Sequence, residues 1–244
     1  MRARLTVRNH RGRDVPATLW LVLAGCGAAS AIVVGLTDHV PAAGWLATAG
    51  AGLVTGAGLL DDLATGGPRG LRGHLRALVD GHVSTGIVKL FTIAAVAVVV
   101  AASAEPTRSG GVRVAGAVLI AAATNLWNGL DVRPGRALKF GYLALPALLT
   151  CAWPVVPFAP GVALASVLVL PWDAGERAML GDAGANLLGA TIGIAMFDAM
   201  PDHQVVAAAA IGVALNVLAE TVTLSRAIDA LPPLRWYDRL GGSP

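Results

Sequence analysis

The chain has 244 residues, of which 55% are hydrophobic and only 14% charged, with a mean hydropathy of +0.67 and a formal net charge of +3. A soluble domain of this size carries about a quarter charged residues, so the composition excludes an ordinary water-soluble globule and indicates a membrane protein. The small positive balance is a topology signal, and nucleic acid is not expected as a partner.

In chain order, a basic tail with Arg2, Arg4, Arg8, Arg11 and Arg13 leads into a weakly charged run from Val15 to Leu36. Within it "LAGC" (Leu23–Cys26) is similar to a lipoprotein cleavage box, but the residues that follow stay apolar, so the run is read as a first span. A second run, Val40 to Leu60, ends in Asp61 and Asp62, and a loop with Arg69, Arg72, His74 and Arg76 follows. The histidine is read as a loop residue. The third run, Val83 to Ser103, carries Lys89 about two turns in, where it either snorkels to the interface or meets a lipid phosphate.

The fourth run, Gly111 to Trp127, opens into "TNLWNGLDVRPG", with Asn125, Asn128, Gly129, Leu130 and Asp131 followed by Arg133 and Arg136, one or other of which is expected to approach a diphosphate. Ala137–Trp153 and the shorter Ala159–Trp172 follow, then a loop with Asp173, Glu176, Arg177 and Asp182. Ala183–Met200 and Gln204–Leu224 complete the series. A helix needs roughly 17–25 such residues to cross a bilayer, and lipid leaves helices as the only choice for these segments. The expected fold is all-α, a polytopic bundle of about eight transmembrane helices spanning residues 16–224, between a basic tail (1–15) and a C-terminal tail (225–244). Gly52/Gly56 and Gly189/Gly193 suit close helix packing. Cys26 and Cys151 both sit in apolar runs and imply no disulfide or metal site.

Basic residues fall in the two tails and in alternate loops, whereas the remaining loops hold only Arg108 and Arg113. Positive charge stays cytoplasmic, which places both termini and the loops after the second, fourth and sixth runs on that side of the cell membrane. Trp127, Trp153 and Trp172 mark span ends. Asp61, Asp62, Asp131 and Asp182 then converge from three loops on one face, an arrangement suited to a divalent cation and a diphosphate. Asp38, Glu105 and Asp202 lie in outer loops without a motif. Taken singly, Asp61–Asp62 reads as a solvated helix end. Asp182 reads as an N-cap beside amides able to receive phosphate oxygens.

In this order, "DD" at 61–62, "NLWNGLD" at 125–131 and "MLGDAGA" at 179–185 resemble the polyprenyl-phosphate N-acetylhexosamine-1-phosphate transferases, with "AETVTLSR" at 219–226 as a further echo. That family includes phospho-N-acetylmuramoyl-pentapeptide transferase. Its members carry Asp-Asp, Asn-Leu-x-Asp-Gly-x-Asp and Met-Gly-Asp-x-Gly-Ser. The resemblance implies transfer of a sugar-1-phosphate from a UDP-sugar to polyprenyl phosphate with Mg²⁺, for which Mn²⁺ can substitute. It implies Asp61, Asp62 and Asp182 as catalytic residues, with Asp182 and Asp62 toward the metal. It further implies a substrate pocket of Asn125, Asn128, Gly129, Leu130 and Asp131, with Arg177 toward phosphate, beside which Lys89 is placed by its position in the third run; homodimerisation is left open. The chain departs from the family at Asn128, Trp172 and Ala185, where the family has Asp, Asn and Ser, and it lacks the late histidine-rich loop.

Two alternatives stand beside this reading. A non-catalytic member would act as a scaffold or binding protein in cell-envelope assembly. A secondary transporter would place its ionisable residues near mid-membrane, whereas here they cluster at the cytoplasmic ends.

Overall fold

The computed structural model describes residues 6–8, 12, 14–64, 70–104 and 107–240. Of the residues singled out above, Arg2, Arg4, Arg11, Arg13, Arg69 and Glu105 lie outside this set, as do the side chains of Arg8, Arg72 and His74. A short antiparallel hairpin of β1 (Thr6–Arg8) and β2 (Asp14–Pro16) precedes twelve helices. These are α1 (Trp20–Thr37), α2 (Ala42–Leu63), α3 (Gly70–Val79), α4 (Thr85–Ala102), α5 (Gly110–Leu130) and α6 (Arg136–Gly141). They continue as α7 (Leu145–Thr150), α8 (Ala159–Ala174), α9 (Gly181–Ala199), α10 (Asp202–Thr221), α11 (Leu224–Ala230) and α12 (Pro232–Arg239). The expected all-α bundle is the fold.

Local sequence sets the helix starts. Ser84 and Ser109 accept hydrogen bonds from the Ile87 and Val112 amides, satisfying donors that the first turns of α4 and α5 leave open. Pro41 and Pro201 are extended residues immediately before α2 and α10. The outward faces are apolar: Ile32 and Val33 on α1, Leu53 on α2, Phe91 and Val98 on α4, Leu164 on α8 and Ile211 on α10 are all exposed. Such a continuous apolar exterior is unfavourable in water and suits lipid.

Among the described residues five helices, α1, α2, α4, α5 and α10, are long and apolar enough to cross a membrane, and α8 is a shorter apolar helix. The expected span over 137–153 is broken: α6 stops at Gly141, a 3₁₀ turn covers Tyr142–Ala144, and α7 covers only Leu145–Thr150. Pro146 is the cause, because its ring has no N–H to donate and collides with the carbonyl four residues back. The broken stretch still runs the length of the bundle. Gly135 ahead of it is bonded to Asp173 at one end, and Ala152 beyond it is bonded to Asp198 at the other.

Helix α9 is the axis, with 15 of its 19 residues buried. It tolerates polar and small residues because it faces protein on every side. A Cβ on Gly189 would stand 2.8 Å from Thr124 Cα and 2.9 Å from the Ala123 carbonyl, and one on Gly193 would stand 2.8 Å from Ile120 Cα. On α2, Gly58 receives the Asp182 carbonyl and Ala183 at 2.7–2.8 Å in the same sense. Gly52 and Gly56, by contrast, have nothing within 4 Å of a built Cβ.

These contacts decide the sign of two otherwise identical substitutions. Helix propensity alone favours Gly→Ala by about 1 kcal/mol, whereas overpacking against an immovable backbone costs about 1–3 kcal/mol. Gly189→Ala therefore lowers the melting temperature of the detergent-solubilised protein, and Gly52→Ala leaves it unchanged or raises it. Thermal unfolding followed by tryptophan fluorescence checks both.

Candidate functional site

The last turn of α2 sends its two aspartates to different neighbours, since consecutive helical residues point about 100° apart. Asp61 turns to α4 and accepts hydrogen bonds from Thr85 Oγ1 and Lys89 Nζ, each at 2.5 Å. Thr85 and Lys89 are four residues apart and share one helix face. The same Lys89 ammonium donates to Asp182 Oδ2 at 2.5 Å, so one cation ties α2, α4 and α9 together. Lys89 is only 8% exposed. It does not snorkel, and its partners are carboxylates.

Asp62 turns to α9 and accepts from the Asp182 and Ala183 amides at 3.0 and 3.1 Å. The expectation that Asp182 caps α9 is thereby corrected. Asp182 lies inside the first turn, the N-cap position Leu180 offers no side-chain bond, and the cap comes from another helix. These are also the amides expected to receive phosphate oxygens, and Asp62 already holds them. Gly181 makes the approach fit, at φ +67°, where a Cβ would meet Asp62 Oδ2 at 2.8 Å. Neither aspartate is a solvated helix end.

Asp131 follows the last turn of α5, with its amide bonded to the Trp127 and Asn128 carbonyls. Its carboxylate accepts from the Gly181 amide, while burial and the charges of Asp173, Asp182 and Asp62 hold it well above the usual carboxylate range. Four carboxylates from three separate stretches of sequence therefore share one end of the bundle, as expected. A cavity of about 840 Å³ opens beside them, lined by Lys89, Asn125, Asn128, Gly129, Asn216 and Glu220 among others.

Asn125 donates to Asn216 Oδ1 at 2.6 Å across α5 and α10, and Asn216 in turn donates to the Ala122 and Gly212 carbonyls. Leu130 is a correction: its side chain is 5% exposed and packs in the core, not in the cavity. Arg177 sits exposed in the turn after α8 and is not among the cavity-lining residues.

Arg133 and Arg136, expected near a diphosphate, are engaged elsewhere. Arg136 is fully buried and pairs through Nε and Nη2 with both oxygens of Asp238 at 2.7 Å, with Ser225 on Nη1. Arg133 bonds Asp229 and Asp238. Lys139 donates to the Asp238 and Leu240 carbonyls and Tyr237 to the Lys139 carbonyl. Residues 225–240, expected as a tail, are a helical pair clamped onto α6. Asp173, placed in a loop by the sequence reading and given no role there, is 1% exposed and accepts from Gly135 at 2.8 Å; Asn186 was passed over. The signal for Asn186 was present: a lone amide inside "GANLLGA".

No protein-family model, no curated protein and no solved structure matches this chain.

The C-terminal clamp has a pH dependence of defined sign. The Arg136 guanidinium, with Lys139 and Arg133 nearby, outweighs burial and holds Asp238 below the ordinary carboxylate range. A carboxylate with a depressed folded pKa stabilises fully above its unfolded pKa of about 4 and loses that contribution as pH falls through the folded value. Proteolytic release of the α11–α12 segment is thus low at pH 7 and rises in acid. Asp238→Asn makes release high at both pH values, because one partner of a buried pair removed costs about 3–5 kcal/mol.

Proposed function

We propose that the chain transfers a sugar-1-phosphate of the N-acetylhexosamine type from a UDP-sugar to polyprenyl phosphate, releasing UMP, at the cytoplasmic face of the cell membrane with both termini on that face. The observation that carries this reading is the gathering of Asp61, Asp62, Asp131 and Asp182 at one end of the bundle, where Lys89, bonded to Asp61 and Asp182, also lines a cavity with Asn125, Asn128 and Gly129. These residues come from the same three motifs that resemble the transferase family.

The reaction forms one P–O bond and breaks another. An oxygen of the acceptor phosphate attacks the β-phosphorus of the UDP-sugar. The bond from that phosphorus to the bridging oxygen breaks, and UMP leaves with the electron pair. A Mg²⁺ ion, when bound, offsets the diphosphate charge.

Among the described residues, no group of three Asp, Glu, His or Cys side chains is set to hold a metal on its own. The donor set still fits this ion, because Mg²⁺ takes one or two carboxylates and completes its shell with water and substrate phosphate oxygens. Asp182 is the carboxylate for that role, since Asp62 is committed to the α9 amides. Lys89 lines the cavity and is the cation for the acceptor phosphate. Asn128 and Gly129 form the wall that a nucleotide meets.

One feature favours the alternative of a non-catalytic member acting as a binding protein: Lys89 already neutralises Asp182 without any substrate. The two readings part in one assay. Purified protein with polyprenyl phosphate, Mg²⁺ and a panel of UDP-sugars releases UMP on the first reading, and Asp182→Asn abolishes the release. On the second, UDP binds without turnover. Asp131→Ala weakens UDP binding measured by calorimetry by about 1–3 kcal/mol. Neither turnover nor UDP binding in the wild type refutes both readings.

A further inference from the structure

Asn186 is fully buried on α9, and neither its Nδ2 nor its Oδ1 has a hydrogen-bond partner in the protein. An amide in that condition is costly: a buried polar group without a partner loses its hydration and gains nothing. Most buried side-chain amides are satisfied, and each exception calls for a cause. A Leu, with the same branching and number of heavy atoms, would carry no such cost in unpaired polar atoms, as Leu187 and Leu188 carry none beside it.

Helix geometry fixes where this amide points. Gly189 packs on Thr124 and Gly193 on Ile120 of α5. The two helices therefore run antiparallel, and carrying that register back along α9 sets Asn186 opposite residues 127–128 and Asp182 opposite residue 131. Asp182 and Asn186 are four residues apart and share a face. At the same level of α5, Asn128 lines the cavity, and its Oδ1 is likewise buried without a partner. The Asn186 amide and the Asn128 Oδ1 thus lie at the same level of two packed helices, one turn from Asp182, and both are without a partner in the protein. A buried water makes about three hydrogen bonds to such groups.

We propose that Asn186 is a positioning residue of this site: its carboxamide, one turn below Asp182 on the face turned to α5, holds a water that orients the Asp182 carboxylate toward a divalent cation. The inference rests on the transferase reading. It assigns to this amide the outer-shell role that hydrogen-bonded partners of carboxylate ligands commonly fill.

The test uses the full-length protein in detergent, with Mn²⁺ alone as the probe, titrated by electron paramagnetic resonance. Metal-free thermal unfolding is recorded in parallel. Asn186→Leu weakens Mn²⁺ about 10- to 100-fold. Asn186→Ser, which keeps a polar group and room for water, stays near wild type in Mn²⁺ affinity. If Leu prevents folding, Asn186→Val supplies the same comparison. An Asn186→Leu protein that is more stable yet binds Mn²⁺ like wild type makes Asn186 an unsatisfied core amide and overturns the proposal. A variant that is less stable without metal and still binds Mn²⁺ like wild type shows that the amide serves the fold alone and overturns it as well. Absence of Mn²⁺ binding in the wild type instead refutes the metal-dependent reading on which the inference stands.

Discussion

The Lys89 ammonium between Asp61 and Asp182 is the contact on which the polar end of the bundle depends. It joins three helices that are distant in sequence, by two bonds of 2.5 Å from a side chain that is almost out of contact with solvent. Such a triad is no strong source of stability, because desolvating three charges offsets much of their attraction. What it does is fix register. Moving α4 by one residue turns Lys89 by about 100°, away from both carboxylates. Asp62 and Asp131 share this end without forming an ion pair to the ammonium.

That polar end is held in place by close packing below it. Helix α9 meets α5 through Gly189 and Gly193 and meets α2 through Gly58. Without a hydrophobic drive between lipid-solvated helices, such small-residue contacts and interhelical hydrogen bonds carry association. The same approach brings Asp62 within reach of the α9 amides. A single bulky residue at position 58 would push apart the helix end that Asp62 caps and the Asp182 carboxylate that Lys89 holds.

Much of this was legible in sequence. Long apolar runs ending in aspartates announced a helical bundle with its acidic residues on one end, and the order of the three motifs named the residues now found together. What was not legible depends on long-range direction. Spacing says that Asp61 and Asp62 diverge, but not that one reaches α4 and the other α9. Counting apolar residues over 137–153 overlooked Pro146, whose backbone constraint outweighs composition. Gly52/Gly56 and Gly189/Gly193 look alike as text, and only the neighbouring backbone separates a packed pair from an open one. Arg133 and Arg136 read as phosphate ligands because their partners, Asp229 and Asp238, lie about a hundred residues away.

The aspartates at this end therefore do distinct things, and their division constrains how an anion is received. Asp62 holds the amides of α9, so the helix N-terminus is closed to a phosphate. Asp173 holds the Gly135 turn and Asp238 holds Arg136, so the basic residues after Asp131 are committed to structure. Lys89 is left as the cation that both lines the cavity and touches the acidic cluster. A phosphate drawn to Lys89 competes with Asp61 and Asp182 for the same three N–H donors. On the transferase reading, binding of the acceptor then loosens the hold on Asp182 and frees its carboxylate for a divalent cation. On that same reading the Lys89–Asp182 ion pair is the link between acceptor and metal, since one ammonium faces both the cavity and the carboxylate.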